Sequence, residues 1–157
     1  MKFLPLTNDS RFTVIDDEDY EICSSYRWHL NKRYIRTIVK NRPIYLSLLV
    51  MFQGGPRKLY VDHIDGDPLN NRRSNLRVAT NSQNQANRKR LTTNTSGYRG
   101  VTWHRCAEKW QASIKVNGMS KHLGLFVDAR MAAEAYDKAA VEYFGQFSNP
   151  NFISAAA

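Results

Sequence analysis

Cysteine is scarce in this chain of 157 residues, which has only Cys23 and Cys106, far apart and neither of them in a C-x-x-C pair. A disulfide framework needs several cysteines, and a structural zinc site needs closely spaced pairs of them. The composition excludes both as the basis of the fold. We therefore expect two reduced thiols and no structural zinc.

Long apolar runs are also missing. No stretch is long enough to span a membrane, and the first ten residues, M-K-F-L-P-L-T-N-D-S, lack the apolar core of a signal peptide. These features predict a cytoplasmic protein that has no membrane partner.

Acidic side chains are few, with 14 Asp and Glu against 23 Lys and Arg, for a net charge of +9. Basic residues are in excess in each of the segments 1–60, 61–95 and 96–157, as expected if an extended polyanion contacts several parts of the chain. Nucleic acid and an acidic membrane surface both fit this charge, and general solubility is the alternative interpretation. The 42% of hydrophobic residues suffices for one or two small cores and excludes a disordered chain.

The beginning of the chain predicts a β-rich segment. Arg11–Ile15 and Tyr34–Val39 are rich in β-branched and aromatic residues, which predicts strands. A turn at 41–43 precedes a further short strand at Ile44–Tyr45, so we expect a hairpin there. The apolar run Leu46–Phe52 fits either a helix or a strand, because its periodicity does not distinguish them.

The middle of the chain predicts a strand, a loop, a second strand and a helix. Short strands fit Leu59–Val61 and Leu76–Ala79, on either side of a polar turn crowded with carboxylates. Thr80 and Gln83 have the spacing of a capping box, so we expect a helix over 81–90. The residues after it lose apolar periodicity and are typical of an exposed linker.

The last part predicts a three-stranded antiparallel sheet packed on one helix. Asn117 and Gly118 supply a hairpin turn, and apolar and polar residues alternate in the strand before them, which gives the sheet one buried and one wet face. Asp128 is a good N-cap for a helix that Gly145 ends. The predicted strands are Tyr98–Trp103, Trp110–Val116 and His122–Phe126.

Asp62 and His63 are adjacent at the carboxylate-rich turn, with Asn75 and Asn84 further along the chain. Neighbouring residues of an extended strand point to opposite faces, so one can hold a cation while the other faces a water molecule. A carboxylate and an amide oxygen suit Mg²⁺, and a neutral imidazole is a suitable base for water at neutral pH. An isolated Asp-His pair in a turn is more often structural, so the interpretation depends on the whole pattern.

These residues belong to a longer run, Val61–Arg88, which reads V-D-H-I-D-G-D-P-L-N-N-R-R-S-N-L-R-V-A-T-N-S-Q-N-Q-A-N-R. The run closely resembles the HNH motif of phage and intron-encoded homing endonucleases. The resemblance implies a ββα-metal fold in which Asp62 and Asn84 ligate a divalent metal, Mg²⁺ or alternatively Mn²⁺. It also implies that His63 activates water and that Asn75 braces the loop that orients His63.

Other polar and basic side chains surround these four. Asn87 is the most plausible further ligand, because it lies one helical turn beyond Asn84. We assign Arg88 and Lys89 to phosphate contacts, with a solvated basic face as the alternative. The residues assigned to turn and cap chemistry are Asp65, Asp67, Asn70, Asn71 and Asn81.

A second resemblance covers the last part of the chain. Three runs carry it: S-G-Y-R-G-V-T-W, K-W-Q-A-S-I-K-V and H-L-G-L-F-V-D-A-R-M-A-A-E-A-Y-D-K-A-A. Together they are similar to the plant ethylene-response-factor (APETALA-type) DNA-binding domain, which phage HNH endonucleases also carry. In that family the sheet enters the major groove of double-stranded DNA and the helix supports it. We expect Trp103 and Trp110 to be core or sheet-stabilising residues, with stacking on bases as the alternative. The residues implied at the DNA face are Arg99, Thr102, His104, Ser113 and Lys115.

Together these patterns predict an α+β protein that is a metal-dependent, site-recognising DNA endonuclease of the homing type. The resemblance implies a phage-encoded protein that acts in the bacterial host cell, as a monomer or weak dimer. A DNA-binding regulator that keeps the nuclease fold without catalysis is the alternative, and RNA is disfavoured because its major groove is too narrow for a sheet. The predicted parts are a scaffold at 1–58, the nuclease motif at 59–90, a linker at 91–95, the DNA-binding domain at 96–149 and a tail at 150–157.

Overall fold

The structure, a computed structural model, describes residues 1–53, 60–88 and 94–152. The fold is mixed α+β, as predicted, and the chain divides into two compact units, Met1–Thr80 and Asn81–Ala157. The predicted linker lies largely outside the described residues, and the division of the chain into five parts stays a prediction. Within the described ranges, no helix is long and apolar enough to cross a membrane.

The first unit is built from short strands and short helices. Its strands form three small antiparallel sheets, two of them two-stranded hairpins and the third a three-stranded meander. In chain order its elements are β1 (Lys2–Pro5), β2 (Phe12–Ile15), α1 (Tyr20–Ser24), β3 (His29–Asn31), β4 (Tyr34–Val39), β5 (Arg42–Tyr45), α2 (Leu46–Phe52), β6 (Tyr60–His63) and β7 (Leu76–Ala79).

Strands β4 and β5 form the predicted hairpin. Its two-residue turn is Lys40 and Asn41, with φ of 47° and 60°, so the turn begins before the segment 41–43 that the sequence suggested. The run that periodicity left undecided is helix α2, which buries Leu46 and Val50 one turn apart on the same face.

One hydrophobic core joins the N-terminal strands to strands β6 and β7 of the motif. Trp28 is a fully buried member, and its indole N–H donates to the carbonyl of Cys23 at 2.8 Å. Burial raises the pKa of the Cys23 thiol to about 12, so this thiol stays protonated and unreactive. Val61 of β6 and Leu76 of β7 belong to the same core, so the motif's strands owe their burial to the preceding segment.

A cluster of ion pairs fastens the end of the motif's loop to the N-terminal segment. Arg73 donates to both carboxylate oxygens of Asp19, at 3.0 and 2.7 Å, and its backbone N–H donates to Asp16 at 2.8 Å. Asp19 is only 3% exposed, and a buried carboxylate requires a partner of opposite charge. The positive charge of Arg73 is therefore paired with carboxylates of the first unit.

The second unit contains a short helix, a three-stranded antiparallel sheet and a long helix. The strands lie side by side in chain order, so the second of them is the central strand of the sheet. The first helix ends at Ala86, whereas the sequence predicted a helix over 81–90, of which 89 and 90 lie outside the described residues. In chain order the elements are α3 (Asn81–Ala86), β8 (Val101–His104), β9 (Lys109–Val116), β10 (Met119–Phe126) and α4 (Ala129–Phe144).

The turns of the second unit follow their local sequence. Asn117 and Gly118 form the predicted hairpin turn, with φ of 50° and 84°. Strand β8 starts later than predicted, because the Ser96 hydroxyl accepts from the backbone N–H of Tyr98 at 3.1 Å and donates to the carbonyl of Val101 at 2.8 Å. These bonds hold the residues before Val101 in a turn.

Helix α4 begins and ends where the sequence predicted. The Asp128 carboxylate accepts from the backbone N–H of Arg130 at 2.9 Å, which caps the first turn, and Gly145 follows the last helical residue with φ of 51°. The helix shares a buried cluster with the sheet, whose members are Val101, Ala112, Ala132 and Ala133.

Candidate active site

Asp62 and His63 lie on β6, and the hairpin of β6 with β7 forms the centre of the candidate site. The strand runs from Tyr60 to His63, so both residues are on the strand, whereas the sequence placed its end at Val61. The register pairs Asp62 with Arg77. Because neighbouring side chains leave a strand on opposite faces, the carboxylate and the imidazole do not crowd each other.

The Asp62 carboxylate is buried, with only 4% of the residue exposed. Arg77 donates to its Oδ2 from Nε and from a terminal nitrogen, at 2.9 and 2.8 Å. A buried carboxylate needs such a partner to stay charged. Asp62 is therefore a carboxylate oxygen donor in a fixed position, which is the type of ligand that a hard divalent cation prefers.

The His63 imidazole is half-buried, and its Nε2 lies 3.1 Å from Oδ1 of Asn71. Burial lowers the pKa of His63 below its ordinary value, against the opposing effects of the Asn71 contact and the nearby carboxylates. The ring is therefore neutral at neutral pH, the form that can take a proton from water.

Asn75 is 7% exposed and cross-links the loop between the two strands. Its Oδ1 accepts from the backbone N–H of Asp65 at 3.1 Å, while its Nδ2 donates to the Asp65 carboxylate at 2.9 Å and to the carbonyl of Asn70 at 2.8 Å. Its own carbonyl accepts from the backbone N–H of Ile64 at 2.9 Å. These bonds hold both ends of the loop that follows His63.

Asp65 is the acceptor around which the loop is organised. Partial burial raises the pKa of this carboxyl, but hydrogen bonds from the Asp67 backbone and from the Asn75 and Asn70 side chains lower it by more, so the net shift is downward. Asp65, Asp67 and Asn70 thus serve the turn itself, in line with their assignment from sequence.

Asn71 is the residue that the sequence interpretation missed. It was assigned to turn chemistry, yet it is the amide that contacts His63, and it is 1% exposed. Its Nδ2 donates to the Thr13 hydroxyl at 3.0 Å, 58 positions earlier in the chain, and to the carbonyl of Pro68 at 2.7 Å. No local spacing signals a partner that far away.

The remaining motif residues lie in the second unit. Asn84 is half-buried on α3, Asn87 follows the end of that helix, and Arg88 is exposed, while Lys89 lies outside the described residues. No three His, Cys, Asp or Glu side chains of the described ranges are grouped as a metal site. Asp62 and Asn84 themselves carry a carboxylate and an amide oxygen, the donor types that suit a hard divalent cation.

The outer face of the sheet in the second unit carries most of the residues implied at a DNA face. Residues Ala112 and Ile114 of β9 are buried, and the alternate residues between and beyond them point the other way. The register therefore confirms the predicted alternation along this strand. The implied residues on the outer face are Thr102, His104, Ser113 and Lys115.

Arg99 is placed differently from those four. It lies in the turn before β8, and one guanidinium nitrogen donates to the carbonyl of Ala86 at 2.6 Å. Its backbone N–H donates to Asn151 at 2.6 Å. A guanidinium has five N–H donors, so this bond uses one of them, and DNA contact by Arg99 stays a prediction.

Trp103 is not a core residue, so the core role is wrong for it, and its contacts fit the other predicted role, that of stabilising the sheet. It is 47% exposed, and its ring meets that of Trp110 edge to face with centroids 5.1 Å apart. The reason is its position on β8, an edge strand, near the end furthest from the buried Val101. Trp110 packs against the cluster under α4, as expected.

Comparison with known proteins places these observations in a family. The HNH endonuclease family matches residues 49–86. A protein of Acanthamoeba polyphaga mimivirus that is named as an uncharacterized HNH endonuclease is 33% identical over 148 residues, which cover 90% of this chain and 75% of that protein. Protein 3.8 of Escherichia phage T7 is 41% identical over 63 residues, 40% of this chain and 52% of its own length.

The C-terminal region has relatives of another kind. An AP2-like ethylene-responsive transcription factor of Arabidopsis thaliana is 42% identical over 59 residues, 38% of this chain and 12% of that protein. The resemblance of this region to the APETALA-type domain is thus confirmed. With a buried Asp62 beside His63 on the matched segment, and a viral relative similar over most of both chains, this protein belongs to the HNH endonuclease family.

Proposed function

We propose that the protein is a divalent-metal-dependent DNA endonuclease of the homing type, whose second unit binds the target duplex. The observation that supports this most directly is His63, a half-buried imidazole on β6 whose Nε2 is held by Asn71, next to the buried carboxylate of Asp62. Family membership supports a nuclease, and the geometry of these residues suits hydrolysis of a phosphodiester.

His63 acts in this proposal as the general base. Burial lowers the pKa of His63, so the ring is neutral at neutral pH and can take the proton of an attacking water. Asn75 acts indirectly, because its bonds to Asp65 and Asn70 hold the loop that starts after His63. We assign it as a positioning residue.

Asp62 and Asn84 are the proposed metal ligands. The buried carboxylate of Asp62 fits a hard cation, and the amide of Asn84 offers a second oxygen donor. Bound Mg²⁺ or Mn²⁺ would stabilise the charge that develops on the scissile phosphate and on the leaving oxygen. Arg77, through its two bonds, keeps the Asp62 carboxylate in one orientation.

The test is the conversion of supercoiled DNA to nicked circles. We expect the full chain to nick supercoiled DNA that carries candidate target sequence in Mg²⁺ but not in EDTA, and to regain activity when Mg²⁺ is restored. One active site per chain predicts that nicked circles precede linear DNA. Gel retardation with no cleavage under any metal condition would instead identify a non-catalytic DNA-binding regulator.

The outer face of the sheet is the proposed duplex surface. It presents Thr102, Ser113 and Lys115, which can donate to base edges or phosphates, while the opposite face is buried under α4. A two- or three-stranded sheet is narrow enough for the major groove of B-form DNA. The positive net charge of +9 supports binding to phosphate.

Replacing Lys115 tests this surface. We expect Lys115→Ala to weaken duplex binding and to reduce the slope of log affinity against log salt by about 1, because one phosphate contact is lost. Lys138→Ala is the matched control, since Lys138 is an exposed lysine on α4. Fluorescence anisotropy of a labelled duplex at several salt concentrations measures both. Equal salt slopes for the two variants would exclude Lys115 from the interface.

A further inference from the structure

We propose that Thr13, on strand β2, is a positioning residue for the candidate base: together with the Pro68 carbonyl it holds the amide of Asn71 in one orientation, and so favours one nitrogen of His63 as the carrier of the proton. The inference rests on the proposed role of His63. It gives the N-terminal hairpin a part in the chemistry, beyond the scaffold role that the sequence suggested.

A buried chain of polar groups connects His63 to β2 within the first unit. Asn71 is 1% exposed and Thr13 is 0% exposed. Oδ1 of Asn71 lies 3.1 Å from Nε2 of His63, and its Nδ2 donates to Oγ1 of Thr13 at 3.0 Å and to the carbonyl of Pro68 at 2.7 Å. The Thr13 hydroxyl donates in turn to the carbonyl of Leu69 at 2.9 Å.

The acceptors on one side of Asn71 determine how its amide is oriented. A carbonyl oxygen only accepts hydrogen bonds, so the atom 2.7 Å from the Pro68 carbonyl has to be the NH₂ group. The single hydroxyl proton of Thr13 goes to Leu69, so its oxygen presents lone pairs to Asn71. A flipped amide would place its oxygen against two acceptors at a buried site, where unmade hydrogen bonds are costly.

This orientation selects the tautomer of His63. Because the Asn71 atom that faces the ring is a carbonyl oxygen, Nε2 has to be the nitrogen that donates. In a neutral imidazole the other nitrogen is then the acceptor, so Nδ1 is the atom that takes the proton from water. In the opposite amide orientation Asn71 would donate to Nε2, and the ring proton would be on Nδ1. Nδ1 could then no longer accept a proton from water.

The Thr13 hydroxyl can be changed without detaching the strand. Two backbone hydrogen bonds join β2 to the loop, from Val14 N–H to the Leu69 carbonyl and from Asn71 N–H to the Val14 carbonyl, both at 2.8 Å. Thr13→Val keeps the shape of the side chain and these bonds, and it removes the hydroxyl. Thr13→Ser keeps the hydroxyl and is the matched control.

The experiment records the ring-nitrogen NMR spectrum of the full chain labelled with ¹⁵N-histidine, in EDTA and at a pH where the ring is neutral. The chain has 4 histidines, and a His63→Gln spectrum identifies the signals of His63. We expect a protonated Nε2 and an unprotonated Nδ1 in the wild type and in Thr13→Ser. Thr13→Val leaves the Pro68 carbonyl as the one acceptor for Asn71, so we expect a larger share of the Nδ1-protonated tautomer than in Thr13→Ser, and DNA nicking about tenfold slower, the effect of one lost hydrogen bond.

An unchanged tautomer in Thr13→Val, or nicking at the wild-type rate, would overturn the inference. A protonated Nδ1 in the wild type would also overturn it, and that result needs no variant to fold. If the tautomers respond as expected while the wild type itself nicks no DNA, the endonuclease proposal fails and the coupling of Thr13 to His63 stands. The two proposals are therefore tested separately.

Discussion

His63→Ala is expected to slow DNA nicking by about two to four orders of magnitude, which is the usual contribution of a general base. The substitution removes the imidazole but keeps the Asp62 and Arg77 ion pair and every residue of the second unit. Duplex binding is therefore expected to stay at the wild-type level. Single-turnover nicking of supercoiled DNA in Mg²⁺, with anisotropy of a labelled duplex alongside, measures the two properties independently.

His29→Ala is the matched control for this prediction, because His29 is an exposed histidine on β3 of the same unit. It is expected to nick at the wild-type rate. Thermal melting of both variants shows that the first unit is folded. If His63→Ala nicked DNA as fast as His29→Ala, the general base would have to be another residue.

Strand β9 and helix α4 were predictable because their signals are local. In β9 the alternation of apolar and polar residues sets the buried face, and in α4 the N-cap Asp128 and the terminal Gly145 mark the ends. Each of these features depends on residues a few positions apart. The turn at Asn117 and Gly118 was predictable for the same reason.

The residues around the candidate base were only partly predictable. Asp62 and His63 follow from the motif, but their partners are set by the tertiary fold. Asn71 is one of several asparagines in the loop, and it differs from the others through its bond to Thr13, 58 positions away. A sequence pattern that treats the loop alone cannot distinguish an amide that serves the turn from one that serves the histidine.

Basic residues were also ambiguous in the sequence, because a charge alone does not show its partner. Arg73 and Arg77 both lie within the motif, and both are paired with buried carboxylates, at Asp19 and Asp62. Their charge stabilises the folded motif, and it compensates carboxylates that would otherwise be costly to bury. Counting basic residues therefore overestimates the number that is available for phosphate.

Gly100 is the turn residue of the second unit whose Cα is closely enclosed by other atoms. Gly100 has φ of 72°, and a Cβ at this position would overlap the ring of Tyr136 and lie 2.7 Å from the carbonyl oxygen of Ser113. That carbonyl belongs to the central strand, and the backbone N–H of Ser113 donates to the Gly100 carbonyl at 2.8 Å. A side chain here has no space to relax into.

Gly100→Ala is accordingly expected to destabilise the second unit by about 3 kcal/mol or more, the sum of left-handed backbone strain and overpacking. Gly118→Ala is the matched control: it has φ of 84° with nothing within 4 Å of the added Cβ, so only the strain of about 1–2 kcal/mol applies. Urea unfolding of the full chain measures the difference, and gel retardation measures duplex binding. Gly100→Ala should lose binding while the His63 ring-nitrogen spectrum of the first unit stays unchanged. Equal stability of the two alanine variants would show that Tyr136 moves aside. The close approach of Gly100 to α4 would then contribute nothing to the loss in free energy of unfolding.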